Sequence, residues 1–279
     1  MSSVFINASH IRYCDDASED IIRVTTIFHK PYVTIINDPK RPLNISEINE
    51  THLEGYLIDL IRHLAALVQF KYTIHLVKDS SYGHWNGERW NGMIGEILRN
   101  EADLALADLT ITSERERVVD FSYPYLTTAI GLLAIRPPYY EHSGEQNTTD
   151  SFSKKRTMFI YPVNSITDLI EQNEVKFGAL QFGSTLSYFT NSRDATHKRI
   201  GEIMMSNKTS LSKSHAEGIE RVKNSNGKYV FFIGKTIIEY QAGIDCDLMQ
   251  LGNDIAGHSL GFAMPINYHL KTKINLGLL

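Results

Sequence analysis

Cysteine is nearly absent from this 279-residue chain: only Cys14 and Cys246 occur. That excludes a disulfide scaffold and any zinc site built on paired cysteines. Long apolar runs are missing too. The best of them, Tyr125 to Ile135, is about half what a spanning helix needs and stops at Arg136-Pro137-Pro138. Residues Met1 to Asp20 lack the basic and apolar regions of a signal peptide, so the expectation is a soluble chain without an export signal. Neither charge dominates. A net charge of −4 offers no basic field for nucleic acid or an anionic membrane. There is no H-E-x-x-H, no P-loop and no G-x-S-x-G elbow, and the eleven histidines are scattered rather than spaced as metal ligands.

What remains is an ordinary globular composition, 42% hydrophobic and 22% charged, with length for about two domains. Five N-x-S/T sequons (Asn7, Asn44, Asn49, Asn147, Asn207) exceed the roughly two or three that chance would give and hint at an exported ancestry. Ile21 to Ile27 is β-branched and predicts a strand. Leu57 to Val68 has helical apolar spacing, Lys71 to Val77 alternates, Trp90 to Asn100 predicts a helix, and Asp103 to Ala107 a short buried strand. Strand, helix, strand, helix, strand implies a parallel α/β sheet. After the apolar strand Leu126 to Ile135 comes a polar stretch read as an exposed loop, and the pattern restarts. Ser165 caps a short helix to Ile170, Val175 to Leu180 is a strand, and Gly183-Ser184-Thr185 opens a helix through Phe189. Ser214 with Glu217 predicts a capping box on a helix to Lys223. Tyr229 to Ile233 is a strand, Thr236 to Ala242 a helix and Leu260 to Met264 a strand. Two such units predict two lobes with a cleft between them. Trp85, Trp90 and the strand aromatics Tyr229, Phe231 and Phe232 read as core rather than as a platform for bases.

Two constellations stand out. In Asp108-Leu109-Thr110-Ile111-Thr112-Ser113-Glu114-Arg115 a buried strand runs out into hydroxyls and then a guanidinium. The C-terminal edge of a parallel strand is where open α/β sheets bind ligands, and an Arg there offers a fork for a carboxylate. The alternative from spacing alone is that Thr112 N-caps a helix and Arg115 pairs with Glu116 or Asp120. The second constellation, Gly183-Ser184-Thr185, places free N–H groups and hydroxyls at a helix start, an anion site. Its alternative is a plain N-cap.

In order along the chain, Val24-Thr25-Thr26-Ile27 with Pro31-Tyr32, Glu54-Gly55-Tyr56, Trp90-Asn91-Gly92-Met93-Ile94-Gly95-Glu96, Leu109-Thr110-Ile111-Thr112 with Arg115, Val119-Asp120-Phe121-Ser122, Gly183-Ser184-Thr185, Gly227-Lys228-Tyr229 and Gly261-Phe262-Ala263-Met264-Pro265 resemble the ligand-binding domain of ionotropic glutamate receptors. The resemblance covers Ile21 to about Leu279 except 137–157. It implies an α/β, two-lobed clamshell like the periplasmic amino-acid-binding proteins, which closes on an amino acid and pulls on a channel on the extracellular side of the plasma membrane. It implies no enzyme, no nucleic acid, and a homodimer through lobe 1. The boundaries expected are 1–20 as an N-terminal extension, 21–127 plus 260–279 as lobe 1, and 128–259 as lobe 2. The 137–157 loop stands where the family has its membrane segments. The chain also stops inside the family's penultimate helix, without the partner of the Cys246 position. Alternatives are a periplasmic-type amino-acid carrier or a degenerate receptor fragment.

Carried over by position, the resemblance implies that Arg115 clamps the ligand α-carboxylate, helped by Thr110, and that Tyr82 covers the ligand. Gly183, Ser184 and Thr185 receive the distal group. No cofactor is implied, though a small anion such as chloride fits near Ser184 and Thr185 if the ligand is neutral. Two departures matter. The family acid for the ligand ammonium falls on Gly234, and the residue before Leu109-Thr110 is Asp108, which is expected to replace it. At the cleft lip the family's acid and hydroxyl read as His29 and His215. The expectation is a solvent-exposed pair sharing one hydrogen bond when at least one ring is neutral.

Overall fold

The computed structural model describes residues 21–36, 50–136, 163 and 165–279. The N-terminal extension, the 137–157 loop, Cys14 and four of the five sequons lie outside the described residues.

In chain order come β1 (Ile21–Thr26), β2 (Thr34–Ile35), β3 (Leu53–Glu54), α1 (Tyr56–Val68), β4 (Lys71–Leu76), α2 (Gly92–Leu98), β5 (Leu104–Leu106) and β6 (Asp120–Phe121). β7 (Leu126–Ile135) opens the second half, followed by α3 (Ile166–Glu171), β8 (Lys176–Ala179), α4 (Ser184–Thr190), α5 (Ala195–Ser206) and α6 (His215–Lys223). Then come β9 (Tyr229–Gly234), α7 (Lys235–Ile244), β10 (Leu248–Gln250), β11 (Ala256–Leu260), β12 (Ala263–Met264) and α8 (Lys271–Leu278).

The first lobe is built on the sheet β4-β1-β5-β12-β6, with β1 parallel to both β4 and β5. The second is built on β10-β7-β9-β8, with β8 parallel to β9 and β11 also paired to β7. Two strands run side by side between the lobes: β7 and β11 pair antiparallel from Leu126↔Leu260 to Ile130↔Ala256. β11 belongs to the second sheet and β12 to the first, so the single strand expected from Leu260 to Met264 is split at Gly261 and Phe262.

Apolar pattern explains most elements. Leu57, Ile58, Ile61 and Leu64 bury one face of α1, which ends on Gln69 in the left-handed conformation. The start of α1 is pinned to the preceding turn, with Tyr56 N donating to Pro31 O and Leu57 N to Tyr32 O. Gly55, at φ +124°, makes that approach possible, because a Cβ there would lie 2.5 Å from Tyr32 O. β9 is covered on both faces. Tyr229, Phe231 and Ile233 join the core that continues into the first lobe through Leu260 and Phe262, while Val230 and Phe232 pack with Phe189, Ile200 and Met204.

Some expectations need correction. Trp85 is not core: it is 55% exposed, bridged to Trp90 across a loop. The reciprocal capping box is made by Ser165 and Asp168. At α6 the Ser214 hydroxyl accepts from Glu217 N, but the Glu217 carboxylate reaches Lys213 N instead of Ser214 N. α5 and α8 escape sequence reading because their buried positions are few, Ile200, Gly201 and Met204 in one and Ile274 in the other. Cys246 is exposed and free. Among the described residues no helix is long and apolar enough to cross a membrane.

Gly218 on α6 faces the buried Phe231 ring, and a Cβ there would meet ring atoms at 2.4–2.6 Å. Gly218→Ala should therefore lower stability by about 1–3 kcal/mol, because the ring must be displaced in a packed core. Gly243→Ala, where a Cβ meets nothing within 4 Å, should be neutral or stabilising by up to about 1 kcal/mol. Urea unfolding of both variants checks the contrast; equal losses would show that the α6–β9 contact is not tight.

Candidate functional site

Strand β5 ends in the first constellation, and the chain beyond it turns back toward the sheet edge. Thr112 Oγ1 accepts from Arg115 N and opens a 3-10 turn, Arg115–Arg117. That turn swings the Arg115 side chain inward rather than out to solvent. Its Nη1 donates to Thr110 O at 2.9 Å, and its Nε and Nη2 donate to Gly83 O at 3.3 and 3.1 Å. A guanidinium carries five N–H groups, so one on each terminal nitrogen remains. Arg115 is only 4% exposed, and no carboxylate among the described residues pairs with it. Burial brings its pKa down to about 10, with Tyr82, Glu114 and Asp108 opposing. The surface pairing with Glu116 or Asp120 is not made; Asp120 binds Lys271 and the Asn267 amide instead.

All seven residues expected to bind ligand (Tyr82, Asp108, Thr110, Arg115, Gly183, Ser184 and Thr185) line one cavity between the lobes. Its volume is about 50 Å³. From the second lobe, Gly183 is the N-cap of α4 and its neighbour Ser184 donates its hydroxyl to Thr110 Oγ1 at 3.0 Å, a bond across the cleft. Tyr32, Thr128, Thr236, Ile237 and His258 complete much of the wall. They come from four separate stretches of the chain (Thr236 and Ile237 are neighbours on α7) and carry no chemical motif, so spacing gives no signal for their convergence.

Asp108 sits in a polar cluster with a side chain 8% exposed. Its Oδ2 accepts from His29 Nδ1 at 2.8 Å and its Oδ1 from the Tyr82 hydroxyl at 2.8 Å. The Tyr82 oxygen also lies 2.9 Å from the same His29 nitrogen. Burial alone would raise the Asp108 carboxyl, yet His29, through charge and hydrogen bond, followed by His215 and Tyr82, holds it below the ordinary value. Burial and the neighbouring Asp108 push the Tyr82 phenol well above its own.

The histidine pair differs from the expectation. His29 and His215 do not share a hydrogen bond. Their rings stack at 4.1 Å and 12°, because Asp108 already takes His29 Nδ1 and orients the ring edge-on to it. Nor is the pair solvent-exposed: the His29 side chain is 9% exposed, and its buried Nε2 meets no hydrogen-bond partner among the described residues. Outside it, His84 stacks on Phe182 at 4.2 Å and Asn191 donates to Glu114, two further contacts between the lobes.

Comparison with known proteins agrees with this geometry. Residues 20–138 match the family model described as the ligated ion channel L-glutamate- and glycine-binding site. Over 98% of its length the chain is 26% identical to a glutamate receptor of Lymnaea stagnalis, and over 92% it is 28% identical to the ionotropic glutamate receptor kainate 5 of Homo sapiens. It spans only 41% and 36% of those relatives. Among solved structures, Drosophila muscle GluRIIB in complex with glutamate superposes with a TM-score of 0.78 at 29% identity, covering 93% of this chain and 92% of that one.

Burial, then His29, push the pKa of His215 down to about 3, with Asp108 opposing. Below the ordinary value near 6.5 the unfolded chain takes up a proton that the folded chain refuses. Stability present above that pH is therefore lost as pH falls toward about 3. Between about pH 7.5 and 5.5 this one group should cost about 1 kcal/mol. His84 and His258 shift the same way and are common to wild type and His215→Asn, so the difference between the two proteins in urea unfolding isolates His215. Identical pH dependence would show that His215 titrates freely in the folded state.

Proposed function

We propose that this chain is a member of the ionotropic glutamate receptor family, which it resembles over 92–98% of its length at 26–29% identity, and that its interlobe cavity binds an α-amino acid whose carboxylate docks on Arg115. The observation that carries this reading is the buried guanidinium itself. A charge that has left water costs several kcal/mol unless paired, and Arg115 has two N–H groups free beside the cavity and no carboxylate partner among the described residues. A ligand carboxylate supplies the missing anion, in the bidentate geometry that a guanidinium favours.

The module is then a receptor element and not an enzyme. Ligand held between Arg115 on one lobe and the α4 start on the other favours the closed arrangement, and closure is what the module transmits. In a longer receptor it would act on the extracellular side of the membrane, pulling on a pore, with first-lobe faces pairing two copies.

A thermal-shift screen against all twenty amino acids, with and without chloride, tests the reading. A ligand at about 100 times its Kd should stabilise by about 2.7 kcal/mol. Arg115→Lys keeps the charge but loses the fork, and should weaken the best ligand by about 30-fold, since unpairing a buried charge costs about 2 kcal/mol or more. No response to any amino acid, or full affinity in Arg115→Lys, would remove the proposal.

A further inference from the structure

We propose that His29 and His215 form a proton-gated contact across the mouth of the cleft: with His215 neutral the stacked rings hold the lobes together, and a proton on His215 releases them. The contact needs only two lobes with a cleft between them, whatever ligand the cavity takes.

His29 lies just after β1 in the first lobe, and His215 begins α6 in the second. Their rings are 4.1 Å apart and 12° from parallel, with the Tyr82 ring edge-on to both. This arrangement gives the rings no way to share a proton. His29 Nδ1 is bonded to Asp108 Oδ2 at 2.8 Å, and its Nε2 is buried with no partner among the described residues. A proton on His215 is therefore a charge set against the face of a second ring and withdrawn from water.

The surroundings do not offset that charge. Asp108 favours it, but both Asp108 oxygens are already taken, by His29 and by the Tyr82 hydroxyl. The phenols of Tyr82 and Tyr32 beside the pair are kept neutral, chiefly by burial. Of the strands against which α6 packs, β7 has no titratable side chain, and Tyr229 of β9 gives its hydroxyl to Ser210 O. On α6 itself, Glu217 is bonded to Arg221 and the Lys213 amide, Glu220 to Asn224, and Lys223 to Asp245. Lys30 and Lys213 line the same mouth and add positive charge.

Opening reverses the balance. The two rings belong to different lobes, so separating the lobes returns His215 to water without unfolding either one. There it takes up a proton near its ordinary pKa of about 6.5. Below that pH the closed form holds one proton fewer than the open form. Closure is therefore full above about pH 7 and weakens as pH falls through 6.5, by about tenfold between pH 7.5 and 5.5.

Spin labels at Lys78→Cys in the first lobe and Glu220→Cys in the second, in a Cys14→Ser, Cys246→Ser chain, span this mouth and need no ligand. Pulsed electron paramagnetic resonance should show the short-distance population shrinking between pH 7.5 and 5.5. In His215→Asn, whose side chain does not titrate, that shift should vanish. His84, stacked on Phe182 across the same mouth, and His258 are present in both proteins, so the difference isolates His215. Distances that do not move with pH, or that move equally in His215→Asn, overturn the contact's role. Calorimetry with L-glutamate as the probe gives a second reading. Affinity should fall about tenfold over the same range with His215 present, and by less in His215→Asn; equal falls overturn the proposal. Absence of L-glutamate binding at pH 7.5 counts against the proposed function instead, and the distances then decide the role of the histidines.

Discussion

The guanidinium of Arg115, buried and held by two backbone carbonyls instead of a carboxylate, is the constraint on which the rest of the site depends. Gly83 O and Thr110 O satisfy three of its N–H groups and aim the remainder at the cavity. Carbonyl dipoles orient the group without neutralising it, which is why burial still depresses its pKa. The Thr112 cap, the 3-10 turn after it and the loop through Gly83 all serve to place this one side chain. A second residue then has to sit where the local charge is counterweighted, and Asp108, at the end of the same strand, does so.

Asp108 in turn organises the lip. By taking a hydrogen bond from His29 it turns that ring so that its face, not its edge, meets His215 from the other lobe. The lobes are further joined by the Ser184–Thr110 hydroxyl pair, the His84–Phe182 stack and the Asn191–Glu114 bond. Each is individually modest, on the order of 1 kcal/mol or less. A cleft closed by a handful of such contacts is poised for a ligand to decide, because a ligand that bridges both lobes adds energy comparable to their sum.

Legibility in the sequence follows the range of the interaction. β1, α1, β8 and β9 announce themselves because their apolar or β-branched residues cluster over one continuous stretch, and α6 because Ser214, three residues before Glu217, marks its N-terminus. α5 and α8 do not, since few of their positions are buried and α5 carries a glycine mid-helix. Trp85 shows the reverse failure: an aromatic residue reads as core, yet the loop that carries it runs over the surface. In the site, Thr110, Thr112 and Arg115 are legible together because one turn of chain brings them into a single motif. His29 and His215 can be matched as facing positions, but not as stacked rings.

By itself the sequence determined the α/β class, the two lobes and the residues able to hold a charged ligand, since these depend on local periodicity and on side-chain chemistry. Tertiary structure alone decided that Arg115 has no acidic partner among the described residues, that Asp108 is anchored by His29 and Tyr82, and that the histidines stack. Each of these turns on which atoms from segments far apart in the chain come within hydrogen-bonding distance, and on how much water packing removes around them. A carboxylate, an imidazole or a guanidinium has no fixed charge balance or orientation until that packing supplies its neighbours.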